Sequence, residues 1–210
     1  MNKIAICDDH KIVREGLRQI ISVFPQFEVI ADVESGEALF QVIRNTQPDI
    51  IILDVSLPGR SGLEVLKQLK ALRPEIKVLV LSMYPEDQFA IRMLKAGASG
   101  YLHKDSEPNI LLEALTKISN GGEYLSPKIT QLLFREMNAD GESLPHQLLS
   151  DREYEVLLYI GEGKSISEIA NQLSLSVKTI STYRTRILEK MHLDNNSDLV
   201  KYILLHDLAQ

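Results

Sequence analysis

Cysteine is nearly absent from this chain. A single one, Cys7, occurs in 210 residues, so an intrachain disulfide is excluded and nothing points to an oxidising compartment. Cys7 closes the apolar run KIAIC and reads as a small core residue, not as a redox centre. Long hydrophobic runs are missing as well. Runs such as KIAIC and DIIIL fall far short of the roughly 20 apolar residues that a membrane-spanning helix needs. The first residues carry no basic segment followed by an apolar stretch and a small-residue cleavage site, so no secretory signal is expected. The expected compartment is therefore the cytoplasm. Internal repeats and low-complexity tracts are also lacking. Finally, there is no excess of positive charge: the formal net charge is −6. That excludes a uniformly basic surface but not nucleic-acid binding, which needs positive charge only where the phosphates lie.

What is present is ordinary in amount and ordered in pattern. Hydrophobic residues make up 44% and charged residues 25%, as in soluble globular proteins. Up to about residue 119, short apolar runs alternate with longer segments of helical spacing. The strand candidates are KIAIC (3–7), FEVIADV (27–33), DIIILDV (49–55), KVLVLS (77–82) and GYLHK (100–104). Helices are expected at 11–23, 36–46, 62–72, 86–96 and 107–119. Five strand–helix repeats predict a doubly wound, five-stranded parallel sheet of the α/β class. DIIIL and VLVL are continuously apolar, as strands buried on both faces should be. Pro48, Pro74 and Gly97 sit where elements should start or stop.

After Gly121 the pattern breaks. GGEYLSP and NADGESLP carry turn residues, with a short helix expected near 127–137. From Ser150 onward four helices fit, at 150–161, 165–172, 176–191 and 196–207, and no strand does. The expected organisation is a first domain over 1–120, a linker over 121–147 and a small all-α domain over 148–210.

The chemistry gathers at the ends of the expected strands. Asp8 and Asp9 follow the first, Asp54 closes the third, Ser82 the fourth and Lys104 the fifth. Ligands of doubly wound sheets bind beyond the carboxyl ends of the strands, where the strand order reverses. Carboxylates crowded there raise one another's pKa values, and a hard divalent cation, Mg²⁺ or Mn²⁺, relieves the conflict. A cation, a hydroxyl and an ammonium around one carboxylate make a site for a phosphoryl group, with Asp54 as nucleophile. Each part alone has a plainer reading: a solvated turn, a helix cap, a loop lysine. Their joint placement at four strand ends favours the site.

The segments CDDH (7–10), LDVSLPGRSG (53–62), LS (81–82) and GYLHK (100–104) resemble the receiver domain of bacterial response regulators, which has a flavodoxin-like fold. The resemblance implies that a sensor histidine kinase phosphorylates Asp54. It implies Mg²⁺ bound by Asp8, Asp9, Asp54 and the backbone carbonyl of Ser56. It implies that Lys104 contacts the phosphoryl group, and that Ser82 and Tyr101 form a switch pair, the ring turning inward as the hydroxyl moves. Without it, Tyr101 reads as a plain sheet-edge aromatic. Ser56 and Tyr84 would flank the path of attacking water, and Tyr84 is expected to shield the acyl phosphate.

In the C-terminal part, Ser150 with Glu153 and Ser165 with Glu168 have capping-box spacing. SISEIANQL and SLSVKTISTYRTRILEKM are separated by a turn near Leu175–Ser176, the spacing of a helix-turn-helix whose second helix enters the major groove. From Ser150 to the end there are seven Lys/Arg against nine Asp/Glu. Within 176–191, however, Lys178, Arg184, Arg186 and Lys190 oppose only Glu189, which concentrates positive charge on that helix.

The segments LSDREYEVL, EIANQLSLSVKTISTYRTRILEKM and LVKYILLHDL resemble the LuxR-type helix-turn-helix of NarL/FixJ regulators. KSIS departs from it, since the family more often has Asn before the EIA segment. The resemblance implies that Ser181, Thr182 and Thr185 face base edges. Lys178, Thr179, Tyr183, Arg184 and Arg186 would mainly reach phosphates, which position but do not specify. It also implies a dimer through the last helix, with Leu199, Tyr202 and Ile203 on the shared face; the alternative is that this stripe packs on its own core.

The whole describes a transcription regulator that binds promoter DNA as a homodimer and performs chemistry only on its own Asp54. Three alternatives stay open on sequence. One is a haloacid-dehalogenase-type phosphatase, disfavoured because Ser56 stands where the second Asp belongs. The others are a switch whose helices bind a protein, and a regulator indifferent to phosphorylation.

Overall fold

Continuous apolar strands can be buried on both faces only if helices cover both faces, and the sheet is built so. The computed structural model describes residues 1–137, 144–206 and 208. The polar turn expected across NADGES and the last expected helical residue, Asp207, lie outside the described residues. The chain divides into two compact units, Met1–Met137 and Asn138–Gln210.

In the first unit, β1 (Asn2–Cys7), β2 (Phe27–Val33), β3 (Ile50–Asp54), β4 (Lys77–Ser82) and β5 (Gly100–His103) form one parallel sheet in the order β2-β1-β3-β4-β5. The intervening helices are α1 (Lys11–Ser22), α2 (Gly36–Asn45), α3 (Gly62–Leu72), α4 (Glu86–Lys95) and α5 (Pro108–Ser119). Alternate strand residues point to opposite faces. Ile4, Ile6, Ile50, Ile52, Leu79 and Leu81 form a core with Leu17 and Ile21 of α1 and Leu111, Leu115 and Ile118 of α5. The intervening residues Ala5, Cys7, Ile51, Leu53, Val78 and Val80 are equally buried on the other side. This is the doubly wound sheet that the sequence pattern predicts, within one or two residues at each end.

Tight geometry fixes where the strand ends lie. A β-carbon on Gly62 would fall 2.1 Å from the carbonyl oxygen of Asp54 and 2.8 Å from Cα of Val55. Only glycine therefore lets α3 start against the end of β3. The amide of Gly62 donates to the Val55 carbonyl, and Ser61 with Glu64 closes a capping box at the same point. At Gly97 the backbone turns left-handed (φ +98°) and ends α4.

The short helix expected at 127–137 is α6 (Pro127–Met137), and it lies on α4. The Ser126 hydroxyl donates to Glu86, and Lys128 pairs with Asp87 and Lys95 with Glu136. Just before it, Tyr124 bridges in parallel to Gly100 of β5.

The second unit is all-helical. A 3-10 turn (Pro145–Leu148), which the pattern did not suggest, precedes α7 (Asp151–Gly161), α8 (Ile166–Gln172), α9 (Val177–Met191) and α10 (Asn196–Leu205). The capping boxes at Ser150–Glu153 and Ser165–Glu168 both form, and Ser176 and Asn195 cap α9 and α10. Each cap is worth about 1 kcal/mol. Ile169, Leu173, Ile180, Ile187, Leu199 and Ile203 are among the buried residues of this unit.

Candidate functional site

The strand order reverses between β1 and β3, and the acidic residues sit there. Cys7 pairs with Leu53 in register, so the next residues, Asp8 and Asp54, emerge side by side at the carboxyl edge. Both are 2% exposed. On the far side of Asp54, β5 delivers Lys104, whose amide donates to the Ser82 carbonyl. Its ammonium lies 2.7 Å from Oδ2 of Asp54 and 2.7 Å from Oδ2 of Asp8. Burial pushes the Asp54 carboxyl up to about 6, with Lys104 pulling it down and Asp8 adding to the rise. Burial also works against the Lys104 ammonium, but the charge of Asp54 and hydrogen bonds to both carboxylates outweigh it, so it stays firmly protonated. The Ser56 amide donates to Asp54 Oδ1 over 3.2 Å.

Asp9 stands at the open side, and His10 closes it. Nδ1 of His10 lies 2.7 Å from Asp9 Oδ1 and 3.4 Å from Asp8 Oδ1. Asp8, Asp9, His10 and Asp54 each offer one ligand atom, all within 4.8 Å of one another. Cys7, directly beneath, is held protonated by burial first and by the neighbouring carboxylates second. It is the core residue that its sequence position suggests.

Ser82 is fully buried, and its Oγ accepts the amide of Tyr84 over 3.0 Å. The Tyr101 ring is turned inward and fully buried, with its hydroxyl donating to the Tyr84 carbonyl over 2.7 Å. Burial is the main cause that raises the Tyr101 phenol, which therefore remains a donor. Tyr84 itself is 7% exposed and packs on Phe89 of α4 at a ring distance of 4.7 Å.

In the second unit, α8 and α9 are joined by a turn in which Ser174 adopts a left-handed conformation (φ 54°). Lys178, Ser181, Thr182, Thr185 and Arg186 are exposed on α9; Thr179, Tyr183 and Arg184 are half-buried. The hydroxyls of Ser181, Thr182 and Thr185 donate back to Val177, Lys178 and Ser181 carbonyls. Their free lone pairs remain available to a partner.

The family described as the response regulator receiver domain matches residues 4–116, and that described as bacterial regulatory proteins, luxR family, matches residues 147–203. The chain belongs to the response regulators of the NarL/FixJ type. The regulator is similar to the transcriptional regulatory protein DegU of Brevibacillus brevis, 35% identical, with 94% of this chain and 91% of that protein covered. It is also similar to the response regulator GacA of Pseudomonas aeruginosa, 32% identical, with 100% and 98% covered. Among solved structures it resembles RcsB of Salmonella enterica serovar Typhimurium bound to promoter rprA in the presence of phosphomimetic BeF3-. That match has a TM-score of 0.66 and 28% identity, and covers 96% of this chain and 98% of that one. These relatives are transcription regulators and not classical enzymes. Receiver domains typically hold a metal ion at the acidic pocket, and the donor chemistry here fits a divalent cation. Among the described residues, no helix is long and apolar enough to cross a membrane.

Three features of the regulator differ from expectation. Leu199 and Ile203, expected on a shared dimer face, are fully buried in the unit's own core. Tyr202 is half-buried, and its hydroxyl lies 2.9 Å from Nδ1 of His146. The stripe is apolar as expected, but Leu199 and Ile203 follow the alternative of packing on the unit's own core, and the exposed leucines of α10 are Leu204 and Leu205. Lys190, counted toward the positive face, is instead paired with the buried Glu153 at 2.6 Å. Third, the expected donor set omitted His10. It stands in the CDDH segment, but three carboxylates and the Ser56 carbonyl already satisfy the chemistry, so the pattern calls for no nitrogen ligand.

Proposed function

We propose that the regulator is switched by phosphorylation of Asp54. The observation that carries this reading is the buried Asp54 carboxylate, with Lys104 2.7 Å away and Asp8 beside it. An Asp54 oxygen attacks the phosphorus of a phosphohistidine on a sensor kinase. The new P–O bond replaces the P–N bond, and the departing imidazole takes up a proton. Asp8, Asp9, Asp54 and the Ser56 carbonyl would hold Mg²⁺, for which Mn²⁺ could substitute. When bound, the cation neutralises charge on the carboxylates and on the phosphoryl oxygens. Lys104 holds one of those oxygens, and the Ser82 hydroxyl turns toward another.

Movement of Ser82 reaches the backbone of Tyr84, which is also the acceptor of the Tyr101 hydroxyl. The inward ring and the β4–α4 connection are therefore set together. The consequence is a population shift that changes the disposition of the DNA-binding unit and favours a homodimer. In that dimer Leu204 and Leu205 of α10, beside Tyr202, form the shared apolar face. Two copies of α9 then address two half-sites of promoter DNA about one helical turn apart. Ser181, Thr182 and Thr185 meet base edges, while Lys178, Thr179, Tyr183, Arg184 and Arg186 meet phosphates. Residues 121–147 would connect the domains at 1–120 and 148–210, with α6 seated on α4 of the first unit, and the regulator would act in the cytoplasm.

The test treats the full chain with acetyl phosphate and Mg²⁺, maps the phosphorylated residue by mass spectrometry and measures promoter binding. Phosphate on Asp54, with tighter DNA binding that Asp54→Ala abolishes, is the expected result. Phosphate elsewhere, or equal DNA binding by both proteins under all conditions, overturns the reading.

A further inference from the structure

The acidic pocket of this regulator is not made of oxygen alone. His10 occupies the N-cap position of α1, and its side chain makes no capping hydrogen bond to the helix. The ring instead turns back over the strand ends, bringing Nδ1 2.7 Å from Asp9 Oδ1 and 3.4 Å from Asp8 Oδ1. Those separations bracket the edge of an octahedron of metal ligands, about 3 Å for bonds of 2.0–2.1 Å. All four ligand atoms lie within 4.8 Å of one another, so a small inward movement brings the set to the roughly 4.2 Å that separates opposite ligands of one ion. The Asp8 oxygens already have partners within the protein, Oδ1 accepting the amide of His10 and Oδ2 contacting Lys104, and each keeps a lone pair for a cation. Asp9 and His10 are thus the more accessible donors, with side chains 36% and 62% exposed, while Asp54 is nearly sealed.

We propose that His10 supplies a nitrogen ligand to the cation site of Asp8, Asp9 and Asp54, so that late first-row divalent cations compete there with magnesium. The proposal rests on the reading of this pocket as a cation site. Magnesium prefers oxygen donors and retains its water, gaining little from an imidazole. Iron(II), cobalt(II), nickel(II) and zinc(II) bind imidazole well and take mixed nitrogen–oxygen sets. Replacing one water by the His10 nitrogen therefore strengthens the second class of ion selectively. Carboxylates on three sides keep the site hard enough for magnesium, so the two classes contend for one position.

The experiment uses the full chain with Co²⁺ and Mg²⁺ as probes. Affinities are measured by calorimetry for the unsubstituted protein, His10→Ala and Asp9→Asn, and proton NMR of the Co²⁺ form records paramagnetically shifted imidazole resonances. The expected result is a Co²⁺-to-Mg²⁺ affinity ratio about tenfold lower in His10→Ala, with strongly shifted ring protons present in the unsubstituted protein and missing from the variant. An unchanged ratio, or no shifted imidazole signal in the unsubstituted protein, overturns the role of His10 while leaving the cation site standing. Failure of the unsubstituted protein to bind either ion overturns both. The NMR signal is read on the unsubstituted chain, so the result does not depend on the variant folding.

Discussion

The hydroxyl of Tyr101 donates to the backbone carbonyl of Tyr84 across 2.7 Å, from a ring with no exposed surface. A side chain so placed is both a core residue and a latch on the β4–α4 connection. Tyr101→Phe keeps the packing and deletes the latch. It is expected to cost about 1 kcal/mol of stability and to reduce the gain in DNA affinity on phosphorylation. Chemical denaturation and DNA titration of both phosphorylated proteins measure this. A full gain in Tyr101→Phe would show that the hydroxyl carries no signal.

Asp54 gives a pH signature in the metal-free protein. Its folded value, about 6, lies above the 3.8 of a free aspartate because burial disfavours the charge. The sign follows: the contribution to stability is complete below about pH 4 and is lost as pH rises through 6. Above that, the ionised carboxylate costs the fold about 3 kcal/mol. Asp54→Asn, unfolded by urea in the presence of a chelator, should match the unsubstituted protein near pH 4 and exceed it at pH 7.5. A pH-independent difference would contradict the burial-driven shift.

Tyr84 lies two residues beyond Ser82, with its ring on Phe89. As a screen against water, it should slow hydrolysis of the phosphoryl group on Asp54. The rate of phosphate loss from Tyr84→Ala is expected to rise. Equal rates would remove any shielding role and leave Tyr84 as packing for α4.

The exposed cations of α9 are expected to govern salt dependence. Arg186→Ala should weaken binding to all DNA sequences alike and lower the slope of log K against log salt by about 1. Arg184 also donates to Asn196 at 2.6 Å, so Arg184→Ala should additionally loosen the α9–α10 junction. Lys190, paired with Glu153, should leave the slope unchanged when replaced by Met. A slope change at Lys190 equal to that at Arg186 would place the phosphate track further along the helix.

On α10, two classes of leucine should behave oppositely. Leu199→Ala is expected to destabilise the unit by about 2–5 kcal/mol, as core truncations do. Leu204→Asp and Leu205→Asp, at positions 64% and 70% exposed, should leave stability almost unchanged and shift the phosphorylated protein toward monomer in sedimentation. Dimers that survive both substitutions would move the shared face elsewhere.

Periodicity along the chain is enough to place the elements and the chemistry at their ends. Strand and helix periods, the capping boxes at Ser150 and Ser165, and acidic, hydroxyl and ammonium groups closing successive apolar runs are all local properties. They were legible because backbone geometry and helix capping act over a few residues. Which groups meet and which faces stay open depends on how the elements pack. Register between β1 and β3 set Asp8 against Asp54; Glu153, from a different helix, took up the charge of Lys190; and packing drew Leu199 and Ile203 inward while leaving Leu204 and Leu205 out. His10 joined the pocket because its ring faces the strand ends instead of its own helix. Contacts between distant segments depend on how elements stack, and a periodic pattern records that a face is apolar without recording what covers it.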